Sequence, residues 1–128
     1  MTWSRMSSYA ALVVVAIVVM GVISATQQAT ETPKHAYILV QADISNPERY
    51  AEYAKLAPDI VTKYGGRYLA RAGRTLTLEG PPARSRVVVI EFPSLDAAQR
   101  FYNSPEYTAA RKLREGSATA QFVVVEAL

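Results

Sequence analysis

The sequence predicts an α+β fold: one antiparallel sheet with helices on one of its faces, preceded by an N-terminal apolar leader. Three observations predict it. From His35 onward, strand-like and helix-like segments follow one another in the order β-α-β-β-α-β. The helical segments carry their own start and stop residues. An unbroken apolar run near the start stands apart in composition from everything after it.

The leader spans residues 1–25. It has one charge, Arg5, and then the run Ala10 to Ile23. A basic start followed by an apolar stretch of roughly 7–15 residues is the pattern of a secretory signal, whereas a spanning helix uses about 20. Two readings follow: a cleaved signal that exports the domain to the periplasm or outside the cell, or an uncleaved membrane anchor over residues 10–25. Residues 26–34 form a polar linker with no apolar period. Residues 35–128 are expected to form a single small domain. A domain of this size buries only about 60–65% of its unfolded surface, so a second subunit would add stability.

Ala36–Ala42 is strand-like, and Asp43 to Pro47 reads as a turn leading into a helix with Asn46 as cap and Pro47 just inside. Tyr50, Tyr53, Ala54, Ala57, Ile60, Val61 and Tyr64 recur at helical spacing. Pro58 falls inside that pattern and is expected to kink or restart the helix near Ala57. Gly65-Gly66 ends it. Arg67–Ala72 is the second strand, with Gly73 a candidate bulge and Thr75–Leu78 alternating as its continuation. Glu79 to Ala83 is a turn, and Arg86–Phe92 is the third strand. Ser94 caps a helix over Leu95–Asn103. Ser104 and Pro105 start another, which runs to Glu115 and stops at Gly116. Gln121–Glu126 is the last strand. The order is ferredoxin-like.

Strands Tyr37–Val40, Val87–Ile90 and Phe122–Val125 are apolar on both faces. A sheet with one wet face should alternate, and the helices can cover only one face. The expected partner is therefore a second copy, a homodimer whose sheets pack face to face.

Gly65-Gly66-Arg67-Tyr68, Leu78-Glu79-Gly80, Val88 to Ser94, Phe101-Tyr102-Asn103-Ser104-Pro105-Glu106-Tyr107 and Leu113-Arg114 together resemble domain of unknown function 1330. The resemblance covers nearly all of Ala36–Val125. It implies a dimeric ferredoxin-like α+β barrel and no established reaction. This chain departs from the pattern in its leader and in lacking a second glycine after Gly73. Barrels similar to this one include cofactor-independent monooxygenases and isomerases.

The chain has no cysteine and one histidine, His35, which cannot build the usual zinc set, and nucleophilic catalysis of the Ser-His or Cys-His kind is not expected of it. His35 reads as a solvated residue at a strand start. No phosphate loop or dinucleotide fingerprint occurs, so no cofactor or metal is expected. Lys63, Arg67, Arg71, Arg74, Arg84 and Arg86 make the second and third strands locally basic, although the net charge is only +3. That density is too low for a nucleic-acid interface and suits a solvated face or a small anionic ligand. A membrane is expected as a partner only through an uncleaved leader.

Glu91, like Glu126, interrupts an apolar strand. A carboxylate there should be paired or neutral, and Arg67, Arg71 and Arg86 are the candidate partners. Its two readings are an ion pair that fixes the sheet or the dimer seam, and an acid/base or ligand anchor. Tyr102, Asn103, Tyr107 and Arg114 are either corner-packing residues or the walls of a polar pocket for a small aromatic or anionic ligand. Two functions stand side by side: an exported homodimeric small-molecule-binding or structural module, and a cofactor-independent monooxygenase- or isomerase-like enzyme working between sheet and helices. A filled space there favours the module, and an open cavity onto which Glu91 and an arginine converge favours the enzyme.

Overall fold

The computed structural model describes residues 31–128; the leader and most of the linker lie outside the described residues. The elements are β1 (Ala36–Ile44), α1 (Pro47–Lys63), β2 (Arg67–Arg71), β3 (Arg86–Phe92), α2 (Leu95–Asn103), α3 (Pro105–Arg114) and β4 (Ala118–Glu126). The sheet order is β2-β3-β1-β4, and all pairings are antiparallel. This is the ferredoxin-like α+β fold. No described helix is long and apolar enough to cross a membrane.

Capping follows the sequence. Asn46 Oδ1 accepts from the Arg49 amide, Ser94 Oγ from Ala97 and Ser104 Oγ from Tyr107, each satisfying an N–H that has no partner inside its helix. Gly65, at φ +83, turns the chain out of α1. Gly66 is required by space: a Cβ there would lie 2.7 Å from the Phe92 ring and 2.8 Å from Val61.

Pro58 does not restart α1, which continues through it from Pro47 to Lys63. Proline leaves the carbonyl four residues earlier, Ala54, without its amide donor. Arg71 on β2 supplies one, its Nη2 donating to Ala54 O at 2.9 Å. Asp43 and Ile44 belong to β1 rather than to a turn, because β4 starts at Ala118 and pairs with them. The irregularity in β2 lies between Tyr68 and Ala70, not at Gly73. Thr75–Leu78 does not continue β2. It is unpaired, and Leu76 and Leu78 are 83% and 89% exposed.

The core lies between the sheet and the helices. Ala36, Ile38, Val40 and Ala42 of β1 and Val88, Ile90 and Phe92 of β3 face Tyr50, Tyr53, Ala57, Val61, Ala98, Phe101 and Tyr107. An aromatic chain runs through it, with Phe101 stacked 5.1 Å from Phe92 and 4.3 Å from Tyr107. Among the described residues no element covers the opposite face of the sheet, here called the bare face. Leu39, Val123 and Val125 stand there 42–47% exposed, and Tyr37, Val87 and Val89 are half-buried beside them.

Candidate functional site

The strand alternation that sends Ile90 into the core sends Glu91 to the bare face, where the register sets it opposite Tyr37 on β1 and Arg67 on β2. Arg67 Nε donates to Glu91 Oε2 at 2.7 Å, and His35 Nδ1 lies 2.5 Å from Oε1. Both partners cover the carboxylate, leaving Glu91 8% exposed. The His35 bond, then that of Arg67, hold its carboxyl below the ordinary carboxylate range against the opposing effect of burial. Arg71 and Arg86 do not join it. Arg71 serves Ala54 and stacks 4.9 Å from the Tyr68 ring, and Arg86 lies 5.5 Å from the Tyr50 ring. His35, read from the sequence as a solvated residue at a strand start, is 55% exposed and is one of the three members of this cluster. Its signal was parity: it shares a strand face with Tyr37, but the register that brings Glu91 near is a long-range property.

The bare face therefore has an apolar middle, with Leu39, Val89 and Val123 in one cross-strand row, and polar ends. His35, Arg67 and Glu91 occupy one end. Asp43, Arg84 and Thr119 occupy the other, where Arg84 Nη1 donates to Thr119 O at 3.4 Å.

On the helix face the sequence-predicted residues divide. Tyr107 is fully buried, and its hydroxyl is 2.7 Å from that of Tyr53. Burial pushes the Tyr107 phenol up to about 12 and the Tyr53 phenol higher still. Arg114 lies over the rings of Phe122 at 4.5 Å and Tyr53 at 5.3 Å, away from Asn103. Neither lines the space that Tyr102 and Asn103 share; Tyr107 packs in the core, and Arg114 borders another solvent-open space of about 400 Å³ with Thr108, Arg111 and Glu115. Between α1 and the sheet only about 30 Å³ is left, beside Tyr50, Tyr53, Tyr68 and Arg86.

Tyr102 and Asn103 do line a cleft. It holds about 320 Å³ between α2 and the β4 edge and opens to solvent. Ala98, Gln99, Tyr102 and Asn103, two pairs at i, i+4, form the helical wall. Ile38, Phe122, Val123 and Val124 form the sheet wall. Tyr102 is fixed between Phe122 at 5.7 Å and Tyr107 at 5.6 Å, with the Arg111 guanidinium 4.4 Å from its ring. The lining offers apolar surface, two amides and one phenol. Gln99 escaped the sequence reading, although its position four residues before Asn103 marks the same helical side. Glu91 and Arg67 lie across the sheet from this cleft. Among the described residues, no three of His, Asp and Glu converge as a metal set would require.

A family model described as "Domain of unknown function (DUF1330)" matches residues 35–128. Among solved structures, the chain is similar to a protein of unknown function from Rhodopseudomonas palustris. That match has 22% identity and a TM-score of 0.61, over 74% of this chain and 83% of the other. The chain is also similar to SnoaB, a cofactor-independent oxygenase from Streptomyces nogalater, at 14% identity and a TM-score of 0.55, over 74% and 94% of the two chains. Identities this low speak for the fold alone. No curated protein sequence matches the chain.

Proposed function

Since the chain belongs to the family of domain of unknown function 1330, we propose that it is an exported homodimeric module that binds a small aromatic molecule between α2 and β4. The cleft carries this reading. At about 320 Å³ it lies at the low end of ligand sites, roughly 300–1,000 Å³, and it pairs apolar walls with the convergent amides of Gln99 and Asn103. A ring would stack against Tyr102, and a polar substituent would reach the amides. The leader supports export, with membrane anchoring through residues 10–25 as the other form of the same reading. The apolar middle and polar ends of the bare face follow the anatomy of a protein interface, and a second copy supplies a matching apolar face by symmetry.

The enzymatic alternative, a monooxygenase- or isomerase-like reaction, rests on likeness of fold to an oxygenase. The titratable group among the cleft's lining residues is the Tyr102 phenol, whereas general acid/base catalysis most often uses a carboxylate or imidazole. The Glu91–His35 pair that could supply one lies on the other side of the sheet.

A thermal-shift and NMR titration of the full chain against simple phenols and aromatic carboxylates tests the reading. The expected result is saturable binding that Tyr102→Ala and Asn103→Ala abolish and Glu91→Gln leaves unchanged. Binding that depends on Glu91, or no binding by any compound, would overturn it.

A further inference from the structure

Along the helix-facing side of β4 the side chains change size. The register sets Val124 and Phe122 opposite Ile38 and Val40 of β1, and Ala120 and Ala118 opposite Ala42 and Ile44. Residues directly opposite one another share a sheet face. Ile38 and Val40 belong to the core under the helices, so all four β4 residues point that way. Phe122 and Val124 bound the cleft that Tyr102 lines. Ala118 and Ala120, with only methyls to offer, bound a groove of about 400 Å³ that opens to solvent beside α3. Its helical wall is Thr108, Arg111, Lys112 and Glu115, set on one side of α3 by spacings of three and four. Arg114 completes it next to Phe122, 4.5 Å from that ring.

Three of the lining residues are cations and one, Glu115, is an acid. Cations in a last turn ordinarily complement the helix dipole, and that accounts for Lys112. The two arginines are held otherwise. Lys63, Arg67 and Arg84 are ion-paired with Glu106, Glu91 and Asp43, whereas Arg111 and Arg114 have no such partner among the described residues. Both guanidiniums lie over aromatic rings instead. Arg111 is 4.4 Å from Tyr102, and Arg114 is 5.3 Å from Tyr53 as well as over Phe122. Ring contact holds a guanidinium by its face and leaves its N–H edge for an oxyanion. Arg111 uses that edge once, in a long bond of 3.4 Å from Nη2 to Thr108 Oγ1, and its Nε is buried without an acceptor. A buried donor left unpaired is unfavourable, so the guanidinium gains by turning toward an acceptor in the groove.

We infer that this groove binds an oxyanionic group of two or more negative charges, a phosphate or clustered carboxylates, held by Arg111 and Arg114 with Lys112 beside it. The charge follows from the lining, where three cations against one acid leave an excess of two. The Thr108 hydroxyl, an acceptor for Arg111, can donate its own proton to the same anion. The volume lies within the roughly 300–1,000 Å³ of ligand sites, so a small organic body fits with the charged group. Glu115 and the helix C-terminus act against the anion and moderate its affinity. The groove lies past Phe122 from the cleft along the same strand, and its chemistry does not depend on a ring binding there.

The arginine Nε–H resonances of the full chain, followed by NMR, read the site directly. Inorganic phosphate, citrate, and sodium chloride at equal ionic strength are titrated in separately. The resonances of Arg111 and Arg114 should shift saturably with phosphate, citrate or both, with a Kd below about 1 mM, and not with chloride. Saturation by phosphate alone identifies a phosphate group, and saturation by citrate alone identifies clustered carboxylates. Arg111→Lys keeps the charge but loses the fork and should weaken binding roughly tenfold. Arg114 carries core contacts and is left in place. Ala120 is exposed, so Ala120→Leu fills the groove without touching the core and should abolish binding, while Glu115→Gln should tighten it. Lys55→Met, which removes a charge from exposed α1, should change nothing. Shifts that do not saturate, that chloride reproduces, or that persist unchanged in Arg111→Lys or Ala120→Leu would overturn the assignment, as would an equal loss in Lys55→Met.

Discussion

Replacing Arg71 with methionine tests whether a tertiary contact is what lets Pro58 sit inside an unbroken helix. The Ala54 carbonyl has lost its helical donor to Pro58 and has the Arg71 guanidinium at 2.9 Å instead. Removing that donor should cost about 1 kcal/mol, toward the low end for a charged donor because the contact is exposed. Losing the stacking on Tyr68 at 4.9 Å should cost about 0.5–1 kcal/mol more. Together that lowers Tm by roughly 6–15 °C for a domain of this size. In a Pro58→Ala background the alanine's own amide supplies Ala54 with its helical bond, so Arg71→Met should then cost only the stacking part. Urea unfolding followed by circular dichroism on the four proteins of this cycle should give a coupling of about 1 kcal/mol. Coupling within the roughly 0.3–0.5 kcal/mol expected of independent sites would refute the reasoning. Arg71 would then be a stacking residue only, and the continuity of α1 would need another cause.

Tyr53→Phe or Tyr107→Phe alone leaves one buried hydroxyl without its 2.7 Å partner and should cost about 1–2 kcal/mol, whereas the double variant should cost less than the sum. Burial raises both phenols, so the folded state keeps them neutral. Their stabilising effect is complete below the unfolded value near 10 and is lost as pH rises toward about 12; an alkaline denaturation curve that the double variant leaves unchanged would contradict this. Glu91 titrates in the opposite sense. Its carboxyl is lowered in the folded state, so its contribution is present above the unfolded value near 4.5 and fades as pH falls through the lowered one. Stability measured from pH 7 to 3 should therefore fall less steeply in Glu91→Gln. Gly66→Ala sets a Cβ 2.7 Å from the Phe92 ring and should destabilise by about 1–3 kcal/mol, measured by thermal unfolding.

The sequence carried the element order because caps, stops and periodicity are local. Asn46, Ser94 and Ser104 each accept the bond their position implied. Errors arose where a distant residue decided the matter. Pro58 looked like a break until Arg71, 13 positions on, met the freed carbonyl. Thr75–Leu78 had strand composition but has no partner strand among the described residues, and composition cannot supply one. Glu91 was legible as a paired carboxylate, while its companions were not: of three candidate arginines the register selected Arg67 and added His35. The polar corner of Tyr102, Asn103, Tyr107 and Arg114 was legible as a cluster. Parity around α2 and α3 then splits it, sending Tyr107 into the core and Tyr102 and Asn103 to the cleft.

The proposed module depends on a second copy covering Leu39, Val123 and Val125, since the described helices all lie on the other face. The most direct measurement is the molar mass of the full chain by light scattering at micromolar concentration, with Leu39→Asp alongside. The account predicts twice the mass of one chain, falling to one chain in the variant. A single-chain mass for the unmodified protein, or a dimer that Leu39→Asp leaves intact, would contradict it.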